Sequence, residues 1–465
     1  MSDIQIMMLL GVAVMAASFV MGYLSKKNPA QRLQLRKYLH VLACGTCTLC
    51  AALLHETQWL IPAVIIAEIA LIYLVLKRDF FTINGERSYG IVLFPLAFLV
   101  LLWLFPTQEE KLLIVGPMGF LAFCDAAAAL VGMRFAHNYF VLTGDKKSWQ
   151  GAVAFWLTGM CWMMLLRYWG FQKDISLWVY LAGAAGISVI AAGAELMGSK
   201  GRDNLWIPLI TAWLLYVWTQ QEASAFIFTL GLSFALIPAG IVTYRRKWLS
   251  ASGTVAALFL GMALLISGFS LWPMLVFFLT GSLLSKLPGA KSSDVKSGKP
   301  RDHIQVFSNG GVALLLAMAN TIQPAPVWEY IYLVTAAVAC SDTCSSEIGQ
   351  RFSKTALDLR RLRMVPAGLS GCISLPGTLA AVGGAACVAV FAETREQIPV
   401  ILLWGVCGSL LDSLLGAFFQ ARYGGEIQHD TGVGAPTHGY AMITNDMVNA
   451  LSGLGVAAAV YFLTV

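Results

Sequence analysis

Apolar runs of bilayer length recur from one end of this chain to the other, and nothing else constrains its fold as strongly. A membrane-spanning helix needs about 20 mostly apolar residues. Sixteen stretches are candidates, some short or interrupted by glycine: 4–24, 38–54, 59–76, 89–105, 112–134, 150–166, 177–196, 204–219, 223–243, 250–267, 270–286, 304–320, 328–349, 372–391, 398–420 and 444–464. Charge is scarce to match. Only 12% of the 465 residues are Asp, Glu, Lys or Arg, and mean hydropathy is +0.72, against roughly 25% charge in soluble domains. A soluble enzyme, a disordered chain and a secreted disulfide scaffold are excluded. The 43 glycines against 16 prolines suit closely packed membrane helices. The expected class is all-α: a polytopic integral membrane protein of about sixteen transmembrane helices in two related eight-helix halves.

Basic residues orient the spans. With the N-terminus outside, all of the 31 Lys and Arg residues except Lys111, Arg167, Lys173 and Arg395 fall in inner loops. Both termini are then outside, and the expected location is a bacterial-type inner (plasma) membrane. Met1-Ser2-Asp3 is no basic n-region, so the first apolar stretch reads as an uncleaved span rather than a signal peptide. The ten cysteines fall almost entirely within spans and read as small packing residues rather than disulfides. Cys44, Cys47 and Cys50 share a helix face, but a metal site there would need a fourth ligand.

Ionisable groups inside a bilayer are costly and point to function. They are Glu68, Asp125, Glu195, Asp342, Glu347, Asp412 and Asp446, and all but Glu68 lie toward cytoplasmic span ends. Two stretches match. Asp125 is followed by Gly132, then by Lys146-Lys147-Ser148-Trp149-Gln150-Gly151; Asp342 is followed by Gly349, then by Ser374-Leu375-Pro376-Gly377-Thr378. Each half later adds an acid and an Asn/Asp pair, Glu195 with Asp203-Asn204 and Asp412 with Asn445-Asp446. This reads as one catalytic unit used twice, in domains 1–220 and 221–465, with the break near 220–224.

These residue types suit phosphoryl transfer. A carboxylate at a helix end can hold Mg²⁺ through one or two oxygens. A Ser-x-x-Gly turn at a helix N-terminus offers backbone N–H groups to phosphate oxygens. Lys146 or Lys147 can neutralise charge on the transferred group. Neither a P-loop nor a strand followed by G-x-G-x-x-G is present, so a nucleotide site would be of another kind.

The first half, about 30–220, resembles the dolichol kinase/phytol kinase group, which is related to phosphatidate cytidylyltransferases. The matching pieces are Arg36-Lys37-x-x-His40, Tyr89-Gly90 with Phe94-Pro95, Asp125 with Gly132, Lys147-Ser148-x-x-Gly151, and Glu195 with Gly201-Arg202-Asp203-Asn204-Leu205-x-x-Pro208. Ala152 departs from the group, which has Ser or Thr there. The second half, about 225–465, is similar to the family (DUF92) that contains human transmembrane protein 19 and the plant phytyl-phosphate kinases. Its matches are Arg301 with Gln305-Val306-x-x-Asn309-Gly310-Gly311, Ser341-Asp342-Thr343-x-x-Ser346-Glu347-Ile348-Gly349, Ser374-Leu375-x-Gly377-Thr378, the run 408–416 around Asp412, and Asn445-Asp446-x-Val448-Asn449. Cys344 and Leu369-Ser370 depart from that pattern.

The two resemblances imply a fusion that converts a prenyl alcohol to its monophosphate and then to its diphosphate. CTP or another nucleotide is the implied donor and Mg²⁺ the implied cofactor. In site one they imply Asp125 and Glu195 as metal or nucleotide ligands and Lys147 as a catalytic cation. Ser148, Gly151, Asp203 and Asn204 would contact phosphates, and Arg36, Lys37 and His40 would bind nucleotide or act as acid and base. In site two, Asp342, Glu347, Asp412 and Asp446 form the acidic set, with Asp342 and Asp412 as metal ligands. Asn309, Ser374, Gly377 and Asn445 would orient phosphates, with Arg301 as a charge clamp. The expected partners are prenyl alcohols, prenyl phosphates, nucleotide and membrane lipids, without nucleic acid; a homo-oligomer is left open. Two other readings compete: a cytidylyltransferase making a CDP-lipid, and a two-repeat secondary transporter.

Overall fold

In a computed structural model, residues 2–27, 32–77, 82–83, 86–87, 89–287, 299–424 and 435–464 are described. The chain forms two compact units, Met1–Gly231 and Leu232–Val465. Helices α1 (Asp3–Lys27), α2 (Arg32–Leu53), α3 (Leu60–Lys77), α4 (Gly90–Leu104), α5 (Leu112–Gly119), α6 (Asp125–Phe135), α7 (Trp149–Tyr168), α8 (Leu177–Met197) and α9 (Asp203–Gln220) lie in the first unit. The division falls within α10 (Ala223–Phe234). The second unit continues with α11 (Ile237–Arg245), α12 (Ala251–Ile266), α13 (Trp272–Leu284), α14 (His303–Ile322), α15 (Pro326–Phe352), α16 (Leu375–Ala389), α17 (Gln397–Phe418) and α18 (Asn445–Thr464). The architecture is that of an all-α polytopic membrane protein. Among the described residues seven helical segments are long and apolar enough to cross a bilayer by themselves.

Two apolar stretches expected as single helices are interrupted. The run 112–134 becomes α5, a π-helical turn at Phe120–Cys124, and α6. Pro117 lacks an N–H and so loosens the helical ladder just before that turn. The Trp162 indole then packs against Gly119 and donates to the Gly116 carbonyl at 2.8 Å. The run 223–243 divides between α10 and α11, where Pro238 occupies the first turn of α11, a position that needs no N–H.

The basic loops after the two Asp-to-Gly helices are strands. In the first unit, β1 (Thr82–Ile83) pairs with β2 (Glu86–Arg87), and β3 (Tyr139–Val141) pairs antiparallel with β4 (Lys146–Ser148). In the second, β5 (Thr355–Asp358) lies between β6 (Arg363–Pro366) and β7 (Cys372–Ile373). Their span-flanking positions and Lys/Arg content hid a short β pattern that only local pairing reveals.

The second unit is built around α15. Residues 331–341 are buried on every side of that helix, which marks a helix enclosed by neighbours. Small residues allow that enclosure. A Cβ on Gly384 would stand 2.7 Å from the Cys340 carbonyl, and one on Gly408 would stand 2.4 Å from Val338. All ten cysteines carry free thiols.

Candidate functional site

In the first unit the π-helical turn ends at Asp125, which is 2% exposed. Lys37 Nζ on α2 donates to Asp125 Oδ2 at 3.0 Å, and the His40 ring lies 3.5 Å from the same oxygen. One helical turn separates Lys37 from His40, so both face one way. His40 also meets the Leu121 carbonyl inside the π-helical turn at 3.3 Å. The side chain of Arg36 lies outside the described residues.

Strand alternation decides between the two lysines. Opposite faces of β4 carry Lys146 outward and Lys147 inward. Lys147 Nζ donates to Glu195 Oε1 at 2.6 Å and to the Glu195 carbonyl at 2.8 Å, and lies 3.8 Å from Asp203 Oδ2. It thus closes the C-terminus of α8, where carbonyls lack helical partners. Burial acts to lower the Lys147 pKa, but the Glu195 and Asp203 carboxylates outweigh it and hold it above the ordinary lysine value. Asn204 donates to the Gly90 carbonyl at 2.8 Å, and a Cβ on Gly90 would stand 2.6 Å from that amide. Asn204 therefore ties α9 to α4.

The second unit carries a cavity of about 540 Å³. Arg301, Asn309, Asp342, Glu347, Ser374, Asp412, Asn445 and Asp446 all line it. Gly377 is set back at the helix start, where its N–H donates to Ser374 Oγ at 3.3 Å. Asp342 accepts from Ser409, and Asp412 from Ser452 at 3.1 Å. With its amide nitrogen turned toward acceptors, Asn449 reaches Asp412 Oδ2 at 3.1 Å and the Asn445 carbonyl at 3.0 Å. Glu347 is held by Arg351 one turn away. Arg301 sits over the Phe277 ring at 5.8 Å.

The two units share one local module. A Cβ on Gly132 would stand 3.0 Å from Ser148 Oγ, and one on Gly349 3.1 Å from Ser374 Oγ. A Cβ on Gly151 would meet the Ala128 carbonyl at 2.8 Å, and one on Gly377 the Ser345 carbonyl at 3.0 Å. Ala128 and Ser345 each stand three residues after the module's aspartate. Ser148 caps α7 and Ser374 caps α16, each accepting from the glycine N–H three residues on. The glycines let the acid-bearing helix and the capped helix touch.

Sequence reasoning left out several residues of the second site. Lys247, Trp248, Lys286 and Lys299 line the cavity. In the sequence the three lysines speak only to sidedness, and Trp248 carries no signal. Ser409, Asn449 and Ser452 contact the two aspartates; Ser409 and Asn449 stand in the matching runs without a role assigned to them, and Ser452 carries no signal in the sequence. A buried ion pair also shapes the rim. Arg422 is 0% exposed, meets Asp358 Oδ2 at 3.3 Å, and donates to the Ser370 carbonyl at 2.7 Å. Ser370 and Gly371 line the cavity just before Ser374.

Among the described residues no group of three His, Cys, Asp or Glu side chains could hold a metal ion. The all-oxygen set around Asp342 and Asp412 fits Mg²⁺, which characteristically keeps water and substrate phosphates beside one or two carboxylates.

Apolar helices wrapped around buried polar clusters define an integral membrane protein with a polar site in each unit. The chain belongs to the integral membrane protein DUF92 family, whose model matches residues 234–457. Protein PGR of Arabidopsis thaliana is 31% identical to it over 227 residues, covering 41% of this chain and 79% of PGR. Protein VTE6, chloroplastic, of the same plant is 28% identical over 46% of this chain and 64% of its own length. A protein named phytol kinase from Synechocystis sp. is 27% identical over 29% of this chain and 58% of its own length. No solved structure matches.

Proposed function

We propose that this protein is a bifunctional membrane isoprenoid kinase. The first unit phosphorylates a prenyl alcohol of the phytol, geranylgeraniol or farnesol type, and the second phosphorylates the resulting monophosphate. The observation that carries this reading is the module found twice, an aspartate helix locked through glycine onto a Ser-x-x-Gly helix start. The relative named phytol kinase supports the chemistry. The donor is CTP or another nucleoside triphosphate, and the excess of Lys and Arg in expected inner loops supports sites facing the cytoplasm.

The difference between the units supports the order of the two steps. An alcohol must lose a proton as it attacks, whereas a phosphate monoester is already anionic near neutral pH. His40 stands beside Asp125 in the first unit, and among the described residues no histidine lines the cavity of the second. In the first step the alcohol oxygen attacks the γ-phosphorus, its proton passes to His40, and the nucleoside diphosphate leaves. Lys37 and Lys147 stabilise charge on the transferred group. In the second step the monophosphate oxygen attacks, with Ser374, Asn309 and Arg301 orienting the phosphates. Asp342 and Asp412 would hold Mg²⁺, which when bound neutralises phosphate charge.

Membranes containing the protein, given a prenyl alcohol and CTP labelled at the α or γ phosphate, test the reading. Label from the γ position is expected in the lipid. Label from the α position would overturn it in favour of a cytidylyltransferase, and prenyl movement without nucleotide turnover would favour a transporter.

A further inference from the structure

The cavity of the second unit has a direction, and the chemistry of its two ends differs. Residues 254–264 of α12 run along it, a length of about 15 Å at 1.5 Å rise per residue. At one end, α12 begins beside Arg301: a Cβ on Gly253 would stand 2.1 Å from the Arg301 carbonyl, and Ser250 N–H donates to that carbonyl at 2.9 Å. Lys247 and Lys286 line this end as well, with Lys286 held over the Trp248 ring at 4.9 Å. Two polar atoms of the cavity-lining residues are buried without a partner, Trp248 Nε1 and Ser282 Oγ, and Ser282 is 3% exposed. Both can donate a hydrogen bond, and such orphans call for a ligand or water.

The other end is apolar. It is lined by Leu236, Leu258, Gly261, Leu264, Leu271 and Leu275 from α11, α12, α13 and their caps. A Cβ on Gly261 would stand 2.8 Å from Leu236 Cδ1 and 4.0 Å from Leu271 Cδ2, so this glycine keeps the limb open. Leu275 is 39% exposed while also lining the cavity, so it stands at a thin wall. A void with cations and unpartnered donors at one end and leucines at the other matches an amphiphile with an anionic head and a single apolar tail. The volume of about 540 Å³ suits one such molecule, since ligand cavities run from about 300 to 1,000 Å³.

We propose that the lipid acceptor of the second unit lies along α12. Its phosphate rests among Lys247, Lys286, Arg301 and the Trp248 and Ser282 donors, and its prenyl tail fills the limb between α11, α12 and α13. Gly261 sets the tail length that the limb accepts. This inference rests on the kinase reading for the identity of the head as a prenyl phosphate.

The full chain in lipid nanodiscs tests it, with binding and phosphoryl transfer measured separately for geranyl and geranylgeranyl monophosphate. Gly261→Leu is expected to weaken binding of the geranylgeranyl compound about tenfold, with the geranyl compound changed less than about twofold. Leu275→Trp narrows the limb from its exposed side, where folding is least at risk, and is expected to act in the same direction. Lys286→Gln is expected to weaken both compounds alike. The inference is overturned if neither compound binds the unaltered protein, or if both tail-side variants treat the two chain lengths equally. Binding with the expected chain-length pattern but without transfer would instead defeat the kinase reading and leave the lipid site standing.

Discussion

In the first unit each buried acid of the site meets a cation from the chain: Asp125 faces Lys37 and His40, and Glu195 and Asp203 face Lys147. In the second, Asp342 and Asp412 face hydroxyls and an amide from Ser409, Ser452 and Asn449, with no ion pair to either among the described residues. The residue before the cap serine shows how the two diverge. It is Lys147 before Ser148 and Ile373 before Ser374. One backbone module thus supports two charge schemes. Packing between the aspartate helix and the capped helix sets where the serine and glycine stand. Side chains on the adjoining strand and helices set whether the counter-charge is built in or, on the proposed reading, arrives with substrate and metal. The second scheme leaves room, and the cavity of about 540 Å³ lies there.

That contrast can be attacked experimentally. The largest effect is expected from Asp342→Ala or Asp412→Asn, which should slow the second transfer by about 100-fold or more. Monophosphate should then accumulate in lipid mass spectra while the first step proceeds. Asp125→Ala should block the first step alone. Loss of the same step in both kinds of variant would end the assignment of one step to each unit.

Next in size is a stability effect confined to the unit with built-in cations. Lys147→Met leaves Glu195 and Asp203 buried without their partner and is expected to cost about 3–5 kcal/mol. Thermal unfolding in detergent should show a large loss for Lys147→Met and a much smaller one for Lys286→Met in the second unit. Equal losses would mean that the two schemes do not differ as described.

A smaller effect concerns the rim of the second site. Burial acts to raise the Asp358 pKa, but the Arg360 and Arg361 backbone N–H groups and the Arg422 guanidinium outweigh it and hold it below the ordinary carboxylate value. A depressed folded-state pKa contributes stability that is present above the unfolded value and is lost as pH falls through the folded one. Stability of the unaltered protein should therefore decline below about pH 4, and Asp358→Asn should remove that part of the decline while lowering stability at neutral pH. Parallel pH profiles for the two proteins would contradict it.

The smallest change tests the module itself. Thr378 follows the glycine in the second unit, its hydroxyl donating to the Ser374 carbonyl at 3.1 Å, and Ala152 stands at that place in the first. Thr378→Ala should cost about 1 kcal/mol or less, read as a change of a few-fold in the second transfer. Ala152→Thr should leave the second transfer unaltered.

Much of the fold was open to inspection in one dimension. The apolar runs lie where helices stand, because a bilayer forces backbone polar groups to bond within their own segment. The Asp-to-Gly spacing and the Ser-x-x-Gly pairs pointed to a repeat because both are local features, fixed by helix periodicity and capping. The acid sets were equally plain, since charge inside apolar sequence stands out. The interruption at Phe120–Cys124, the strands after each aspartate helix and the cavity along α12 were not visible. A proline effect one turn away, a short strand pairing and an open space between three helices are each joint properties of more than one segment, which the periodicity of a single helix does not record.

Membrane insertion, helical class, a repeated acid-glycine-serine pattern and the pool of charged candidates were therefore written in local composition and spacing. Three-dimensional packing chose among the candidates. It turned Lys147 inward and Lys146 outward, tied Glu347 to Arg351, gave Asp125 a lysine and a histidine and left Asp342 and Asp412 with hydroxyl and amide partners. It also recruited Lys247, Lys286 and Trp248, which sequence marked only as loop residues. Helix periodicity acts over a few residues and can be read from the chain. Charge compensation depends on which side chains come within a few ångströms, and distant segments meet at that range only when the helices pack.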